Sequence, residues 1–343
     1  MADIPTPRQM VKGLLQGIRP VRPLFLPILF SLGAQIENVP MQAFLNNPTK
    51  ISNSLRRIRA QVQSDGVACY FDPTIELEAL GATLQWTADG KLPSISWAGI
   101  SQKRQIPEEM RPVELAAKSG RIAVAVEVIR RLNTLLRDDS LLMAGVTGPF
   151  TLAARMMQME SGEVHHFENF SMAALEAAAA LITQISSAYV SAGANLIFIQ
   201  EELLPVLTRE DCDAWAAMLS PAINVIRFYE ALPVLRLPGS DSCPASEEAI
   251  FGRDWDCAIC VGLQAVLSPT SRGIVALGTT PTGIALPQEL FQTGGQAGQQ
   301  PYSALSDVLS EMRPSIVTTA GDLPAGSAWK QVLQLLENVP RGV

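Results

Sequence analysis

Asp72, Glu201, Glu202 and Asp322 each stand at or just after the end of a short apolar run, as do Thr147 and the basic Arg236. Ser31 and Gln35, and the pair Thr279 and Thr280, follow two further runs. Carboxylates gathered in a half-buried place can hold raised pKa values and move protons, or stay ionised and bind N–H groups; a guanidinium among them binds an anion. Asp72, Glu201 and His165 are the candidate catalytic groups. Gln35, Thr147, Glu202, Arg236 and Asp322 are the candidate substrate-binding groups. The same acids could instead cap the helices that follow them, and that alternative stays open for each. Glu201 and Glu202 are neighbours, so on an extended backbone their side chains diverge, and Glu201 is the one assigned to the site.

Other chemistry-bearing residues are few. His165 and His166 are the only histidines; either could serve as an acid or a donor to substrate, and a solvated loop pair is an equal reading. Cys257 and Cys260 form a CxxC, but residues three apart on a strand face opposite sides, so they read as core thiols rather than a chelate. No other clustering of His and Cys has the spacing of a zinc site, and no metal site is assigned.

These residues need elements to position them. Apolar runs at 23–30, 67–72, 141–146, 196–199, 233–237, 257–261, 274–277 and 315–319 predict eight strands. Amphipathic stretches at 48–64, 113–137, 150–158, 172–192, 209–229 and 327–338 predict helices between or after them. Residues 80–86 and 95–100 predict a hairpin inserted after the second strand, turning at Ala88-Asp89-Gly90. Glycines in Ser64-Asp65-Gly66 and Ala192-Gly193-Ala194 sit where helix C-caps are expected. Near-continuous apolar strands alternating with helices suit a parallel sheet buried on both faces, closed as a (β/α)8 TIM barrel with its chemistry at the strands' carboxyl ends. An open doubly wound sheet is the rival; it usually carries a GxGxxG turn after its first strand, and here Gly33 stands alone. The expectation is one domain over residues 1–343, with its core at about 20–340, no internal repeat, and a Gly/Gln-rich loop at 293–300.

Bulk properties narrow the function. Of 343 residues, 48% are hydrophobic and 17% charged, enough apolar material for a large core. A net charge of −7 argues against nucleic acid as a partner, because phosphate binding needs basic patches. The longest apolar stretch, 23–34, is too short to span a bilayer, and residues 1–17 lack the pattern of a signal peptide. Five scattered cysteines fit reduced thiols better than a disulfide framework. The expected compartment is cytoplasmic, with no membrane partner.

Several stretches, in order and at their spacing, resemble the uroporphyrinogen decarboxylase superfamily, which includes corrinoid-linked methyltransferases on the same barrel. They are Tyr70-Phe71-Asp72 leading into residues 78–82, then 145–152, then 192–195 into Glu201, then 233–239 and 321–326. The resemblance implies a substrate site at the barrel mouth, and Asp72 matches the family's pyrrole-binding aspartate. Decarboxylases of the family look like they hold the substrate's carboxylates with paired arginines after the first strand; here the comparable positions are Ser31 and Gln35. Each charge-assisted hydrogen bond lost there would cost about 1.5 to 3 kcal/mol. The thiol-methylating branch resembles this chain in length, but its zinc-binding His-x-Cys and later Cys fall on Arg236, Pro238 and Gly321.

The stretch Phe71-Asp72-Pro73-Thr74, with Glu76 and Glu78 before Leu80-Gly81-Ala82, is similar to methyltransferases and demethylases that pass a methyl group from a small methylated compound to a corrinoid (cobalamin) on a partner protein. That resemblance implies an acid near the leaving atom, from Glu201, Asp72 or His165, and an anion-binding role for Arg236. It also implies one-carbon metabolism, a corrinoid protein as partner, and is compatible with a homodimer. A tetrapyrrole decarboxylase and a non-catalytic corrinoid- or tetrapyrrole-binding homologue remain as alternatives.

Overall fold

Parallel strands need long crossovers, and the spacing of the apolar runs supplies them. The computed structural model describes residues 5–87, 91–96, 118, 120–136, 140–159, 163–238, 244–267, 280–288 and 308–323, with 244–247 described as backbone. Its strands are β1 (Leu24–Leu26), β2 (Gly66–Tyr70), β3 (Thr83–Gln85), β4 (Ser94–Ser96), β5 (Leu141–Thr147), β6 (Leu196–Gln200), β7 (Leu232–Arg236), β8 (Ala258–Gly262), β9 (Thr282–Leu286) and β10 (Ile316–Thr319). Eight of them form one parallel sheet in the order β1-β10-β9-β8-β7-β6-β5-β2, while β3 and β4 pair antiparallel as the expected hairpin. The turn at 88–90 lies outside the described residues.

The two ends of the sheet meet at a seam between β1 and β2. Asp65 N donates to Phe25 O at 3.0 Å, and Phe25 N donates to the Asp65 carboxylate at 2.8 Å. Arg22 clasps the same carboxylate with two bonds of 2.7 Å. The sheet is therefore a nearly closed barrel, as the buried-on-both-faces pattern of the strands requires.

Helices cover its outside. Met172–Ala192 buries Leu175, Ala178, Ile182, Ile185 and Tyr189, a stripe at three- and four-residue spacing, and ends on Gly193 at φ 111°. By length and composition it could cross a membrane, but half of that apolar window is buried, against helices 120–136, 149–156 and 209–228. Pro48–Val62 starts at Asn47, whose side chain accepts from Thr49 N and Lys50 N.

Three expectations change. The run at 274–277 lies outside the described residues, and the strand between β8 and β10 is Thr282–Leu286. Its Thr-Gly start and small residues hide it, although Gly283 is needed where an added Cβ would lie 2.5 Å from Cys260 Sγ. Thr280 therefore precedes its strand and sits at the barrel's amino end, where its hydroxyl accepts from Trp255 N; Thr279 is outside the described residues. Gly66 is not a helix cap: Gln63 takes the left-handed position, and Gly66 opens β2 because a Cβ there would meet Leu26 and Met143. The 113–137 helix is described over Gly120–Leu136, and the closing helix at 327–338 and the loop at 293–300 are outside the described residues.

Candidate functional site

The loops leaving β2, β5, β6, β7 and β10 lie at the strands' carboxyl ends and carry Asp72, Thr147, Glu201, Glu202, Arg236 and Asp322. After β2 the chain makes an Asx turn: Asp72 Oδ1 accepts from Thr74 N at 2.9 Å and from Thr74 Oγ1 at 2.7 Å. Asp72 Oδ2 pairs with Arg121 Nη1, and the remaining Arg121 nitrogens reach Glu78 and Thr74. The Arg121 guanidinium also lies 5.8 Å from the centre of the Trp86 ring. Burial opposes the charge on Arg121, but attraction to Asp72, Tyr70 and Glu78 outweighs it and raises the pKa above the ordinary arginine value. Both Asp72 oxygens are thus committed to holding the β2 loop on helix 120–136.

Glu76, which is not among the candidates, does the same for β5. It is buried and accepts from Thr147 N at 2.7 Å and Thr147 Oγ1 at 3.1 Å, and burial pushes its pKa up. Thr147 is thereby bound to an acid of the neighbouring loop. Its partner carries no signal in the sequence beyond belonging to an acid-rich stretch.

The expected difference between Glu201 and Glu202 is reversed. Gln200 is in register with Arg236 on the inner face, so strand alternation turns Glu201 outward against the helix layer. There its carboxylate accepts from Phe150 N (3.1 Å), Thr151 N (2.9 Å) and Thr151 Oγ1 (2.7 Å), capping helix Pro149–Met156. Gly148 makes the approach feasible, because a Cβ on it would fall 2.3 Å from Glu201 Cδ. Complete burial pushes the Glu201 pKa up to about 7, and the bonds from Thr151 and Phe150 with the charge of Arg155 only partly offset this. The capping alternative is the one realised. Glu202, with 45% of its side chain exposed, pairs with Arg155 and lies 3.9 Å from Arg236 Nη2.

Arg236 is a buried cation with no carboxylate in hydrogen-bond reach among the described residues. Its side chain is 5% exposed, its Nε donates to the neutral Gln200 amide at 3.2 Å, and its nearest carboxylate is Glu202. Burial lowers its pKa, while Glu202, Cys260 and Glu201 act in the opposite sense. Cys260 is its register partner on β8, and burial pushes that thiol up to about 12. Phe71 and Phe198 meet edge to face beside Gly145, where a Cβ would strike both Phe71 and Gln200.

Asp322 joins β10 to the loop after β1. Its carboxylate accepts from Phe30 N at 2.7 Å, from Ser31 N at 2.9 Å and from Ser31 Oγ. Burial pushes its pKa up to about 7, with a smaller push from Asp72. Gln35 is exposed on the short helix Leu32–Ile36. His165 and His166 are exposed as well; His166 faces Glu168 at 3.8 Å, and His165 O accepts from Val206 N. No described contact joins either histidine to Asp72, Glu201 or Arg236. Among the described residues, no group of three or more His, Cys, Asp and Glu is placed to hold a metal ion.

A parallel eight-stranded barrel whose loops are stapled by buried acids around one inward-facing arginine defines a (β/α)8 barrel with its polar site at the carboxyl rim. The family described as Uroporphyrinogen decarboxylase (URO-D) matches residues 8–226, and the chain belongs to that family. In structure it is similar to a methyltransferase from Methanosarcina mazei, with a TM-score of 0.74 at 16% identity, covering 97% of this chain and 98% of that one. It is also similar to a Listeria monocytogenes protein proposed to be a vitamin-B12 independent methionine synthase, with a TM-score of 0.51 at 12% identity over 94% and 97% of the two chains. No curated protein matches the chain in sequence.

Proposed function

We propose that this protein is a cytoplasmic methyltransferase that takes a methyl group from a small methylated compound and delivers it to a corrinoid carried by a partner protein. The observation that carries the reading is the loop after β1. Ser31 is buried on Asp322 and Gln35 is exposed on its short helix, so neither brings a cation to the rim where a substrate with many carboxylates would need one. The fold is shared with the Methanosarcina mazei methyltransferase, and membership of the URO-D family is compatible with methyl transfer and with decarboxylation alike.

The corrinoid, when its protein docks, supplies the nucleophile that accepts the methyl group. The chain's own residues bind and orient the donor. As the bond between the methyl carbon and the donor's heteroatom breaks, the electron pair stays on the heteroatom, which needs a proton. That proton comes from solvent, because Glu202, the partly exposed carboxylate beside Arg236, is ion-paired with Arg155 and serves as a counter-ion rather than a proton donor. Asp72 and Glu201 act as positioning residues: the first holds the β2 loop through Arg121, and the second sets the helix at 149–156. Thr147 and Asp322 fix neighbouring loops, and the apolar surroundings of Phe71 and Phe198 limit water at the reacting atoms.

The test is to incubate purified protein with cob(I)alamin and candidate methoxy and methylamine donors and follow the cobalt absorbance. Methylation by one donor class, reduced at least tenfold by Arg236→Gln, is expected. Methylation by none of the donors, together with CO2 loss from uroporphyrinogen by mass spectrometry, would instead establish decarboxylation.

A further inference from the structure

Arg236 poses an energetic problem that its own neighbours leave half solved. A buried guanidinium loses its hydration, and an arginine in such a place ordinarily takes a carboxylate in a two-bond fork. Here the Nε is spent on a neutral amide at 3.2 Å, and the only described carboxylate near the Nη edge stands 3.9 Å away, beyond hydrogen-bond reach. That carboxylate, Glu202, is not free to come closer. Arg155 holds it, and Arg155 is itself anchored to the β2 loop by a 2.9 Å bond to Pro73 O. Glu202 N is also tied down, donating to Thr151 Oγ1 at 2.9 Å.

The guanidinium faces the inner side of the barrel, opposite to Glu201 on the helix layer, and is in register with Gln200 at the end of β6 and with Cys260 midway along β8. Gly145 on β5 leaves room that the Phe71 ring and the Gln200 amide occupy, which seats Gln200 beside the guanidinium. Among the described residues, the result is a fixed cation with one edge that no carboxylate hydrogen-bonds, at the end of the barrel where barrel enzymes bind substrate.

Resting on the methyl-transfer reading above, we propose that Arg236 recognises a carboxylate on the methyl donor, and that Glu202 is a stand-in counter-ion that the entering carboxylate displaces fully onto Arg155. The donor class is therefore a methylated compound bearing one carboxylate. A dianion such as a phosphate monoester would bring a second charge for which the described rim offers only Arg155, already bound to Glu202. Neutral methyl donors would leave the Arg236 edge unpaired and be discriminated against. Gln200 is the positioning residue, because its carbonyl fixes the plane of the guanidinium through Nε.

Binding of benzoate, of its neutral isostere benzamide and of phenyl phosphate, followed by calorimetry on the full chain, tests this without any methyl transfer. Benzoate is expected to bind about tenfold or more tighter than benzamide, and Arg236→Gln to abolish that difference. Glu202→Gln, at a half-exposed position, is expected to tighten benzoate roughly threefold by removing the competing anion. Equal binding of benzoate and benzamide, tighter binding of phenyl phosphate, or an unchanged benzoate affinity in Glu202→Gln would each overturn the proposal. Should Arg236→Gln fail to melt cooperatively, the Glu202 variant alone decides. Benzoate binding without methyl transfer from any carboxylated donor would retire the functional reading and leave the anion site standing; methyl transfer from neutral donors without benzoate binding would do the reverse.

Discussion

Thr151 sits directly on Glu201: its amide and its hydroxyl both donate to the same carboxylate oxygen, at 2.9 and 2.7 Å, and that hydroxyl accepts the amides of Glu202 and Leu203 at 2.9 and 3.0 Å. One threonine therefore ties the start of helix 149–156 to the chain leaving β6. The pair is the hinge on which Glu202 is hung.

Replacing one partner should expose the coupling. Glu201→Gln keeps the shape but turns an amide nitrogen towards N–H donors, and Thr151→Val removes the hydroxyl from all of its bonds. Each is expected to cost about 1–3 kcal/mol, because buried donors lose their acceptor. Thermal unfolding measures the loss. Both variants should also shift the KM for the methyl donor more than kcat, since they move Glu202 rather than replace it. Unchanged melting in both would show that the cap is not structural.

Glu201 and Asp322 make a joint prediction about pH. Burial pushes each carboxyl up to about 7, from 4.5 and 3.8 respectively. Across that interval the folded chain holds protons that the unfolded chain has released, so these two groups lower stability as pH rises from about 4.5 to 7. Denaturant unfolding at several pH values should show a shallower decline in Asp322→Asn than in the wild type. Only the slope is diagnostic, because the substitution also removes an acceptor for Phe30 N and Ser31 N. Parallel slopes in the two proteins would count against burial as the cause.

How far the sequence is legible follows from what each signal reports. Seven barrel strands and the hairpin show as apolar runs, because burial on both faces writes itself into composition. The strand at Thr282–Leu286 does not, since Thr, Gly and Ala are small where Cys260 and Ile316 need the room. Helix 172–192 is readable to its last residue, with Gly193 as punctuation. Short helices such as Ile75–Ala79 have too few turns to show a period.

The site is legible as a set of positions and not as a set of roles. Asp72, Glu201, Glu202, Arg236 and Asp322 all reach the rim region, because strand ends are visible in the sequence. Which acids are consumed by backbone amides depends on partners such as Thr151, Phe30 and Arg121, far away in sequence. Arg121 continues the buried stripe of Ala125, Val128 and Leu132 at helical spacing, but its charge alone reads as surface, and only Asp72, Thr74 and Glu78 explain why it is one of the largest buried side chains. The direction of Glu201 is hidden because it depends on whether Gln200 or Glu201 faces inward, and only the register with Arg236 decides that.

Asp72 and Arg121 form a buried pair, and for such pairs the loss of one partner costs far more than the pair is worth. Asp72→Asn should destabilise the protein by about 3–5 kcal/mol, as should Arg121→Gln. The double variant should fall well short of the sum, because it leaves only the partly exposed Glu78 without its partner. Chemical denaturation of the four proteins gives the coupling directly. If Asp72 instead worked on substrate, Asp72→Asn would abolish methyl transfer in a protein that melts like the wild type, and Arg121→Gln would not reproduce the effect.

The seam between β1 and β2 offers the most local test of barrel closure. Among the described residues, a single backbone bond from Asp65 to Phe25 spans it, and the Asp65 carboxylate supplies the second link through Phe25 N while being held by Arg22. Asp65→Asn retains one acceptor oxygen but cannot accept from both Arg22 and Phe25 as a charged group does, so the seam loses charge-assisted bonds of about 1.5–3 kcal/mol. Hydrogen exchange in this variant should therefore quicken first at the Phe25 amide and at the amide of the substituted residue itself. Amides of β5, β6 and β7 pair with strands on both sides, and their exchange should stay slow until global unfolding. Uniform acceleration across all eight barrel strands would mean that opening is global, and that the seam is no weaker than the rest of the barrel.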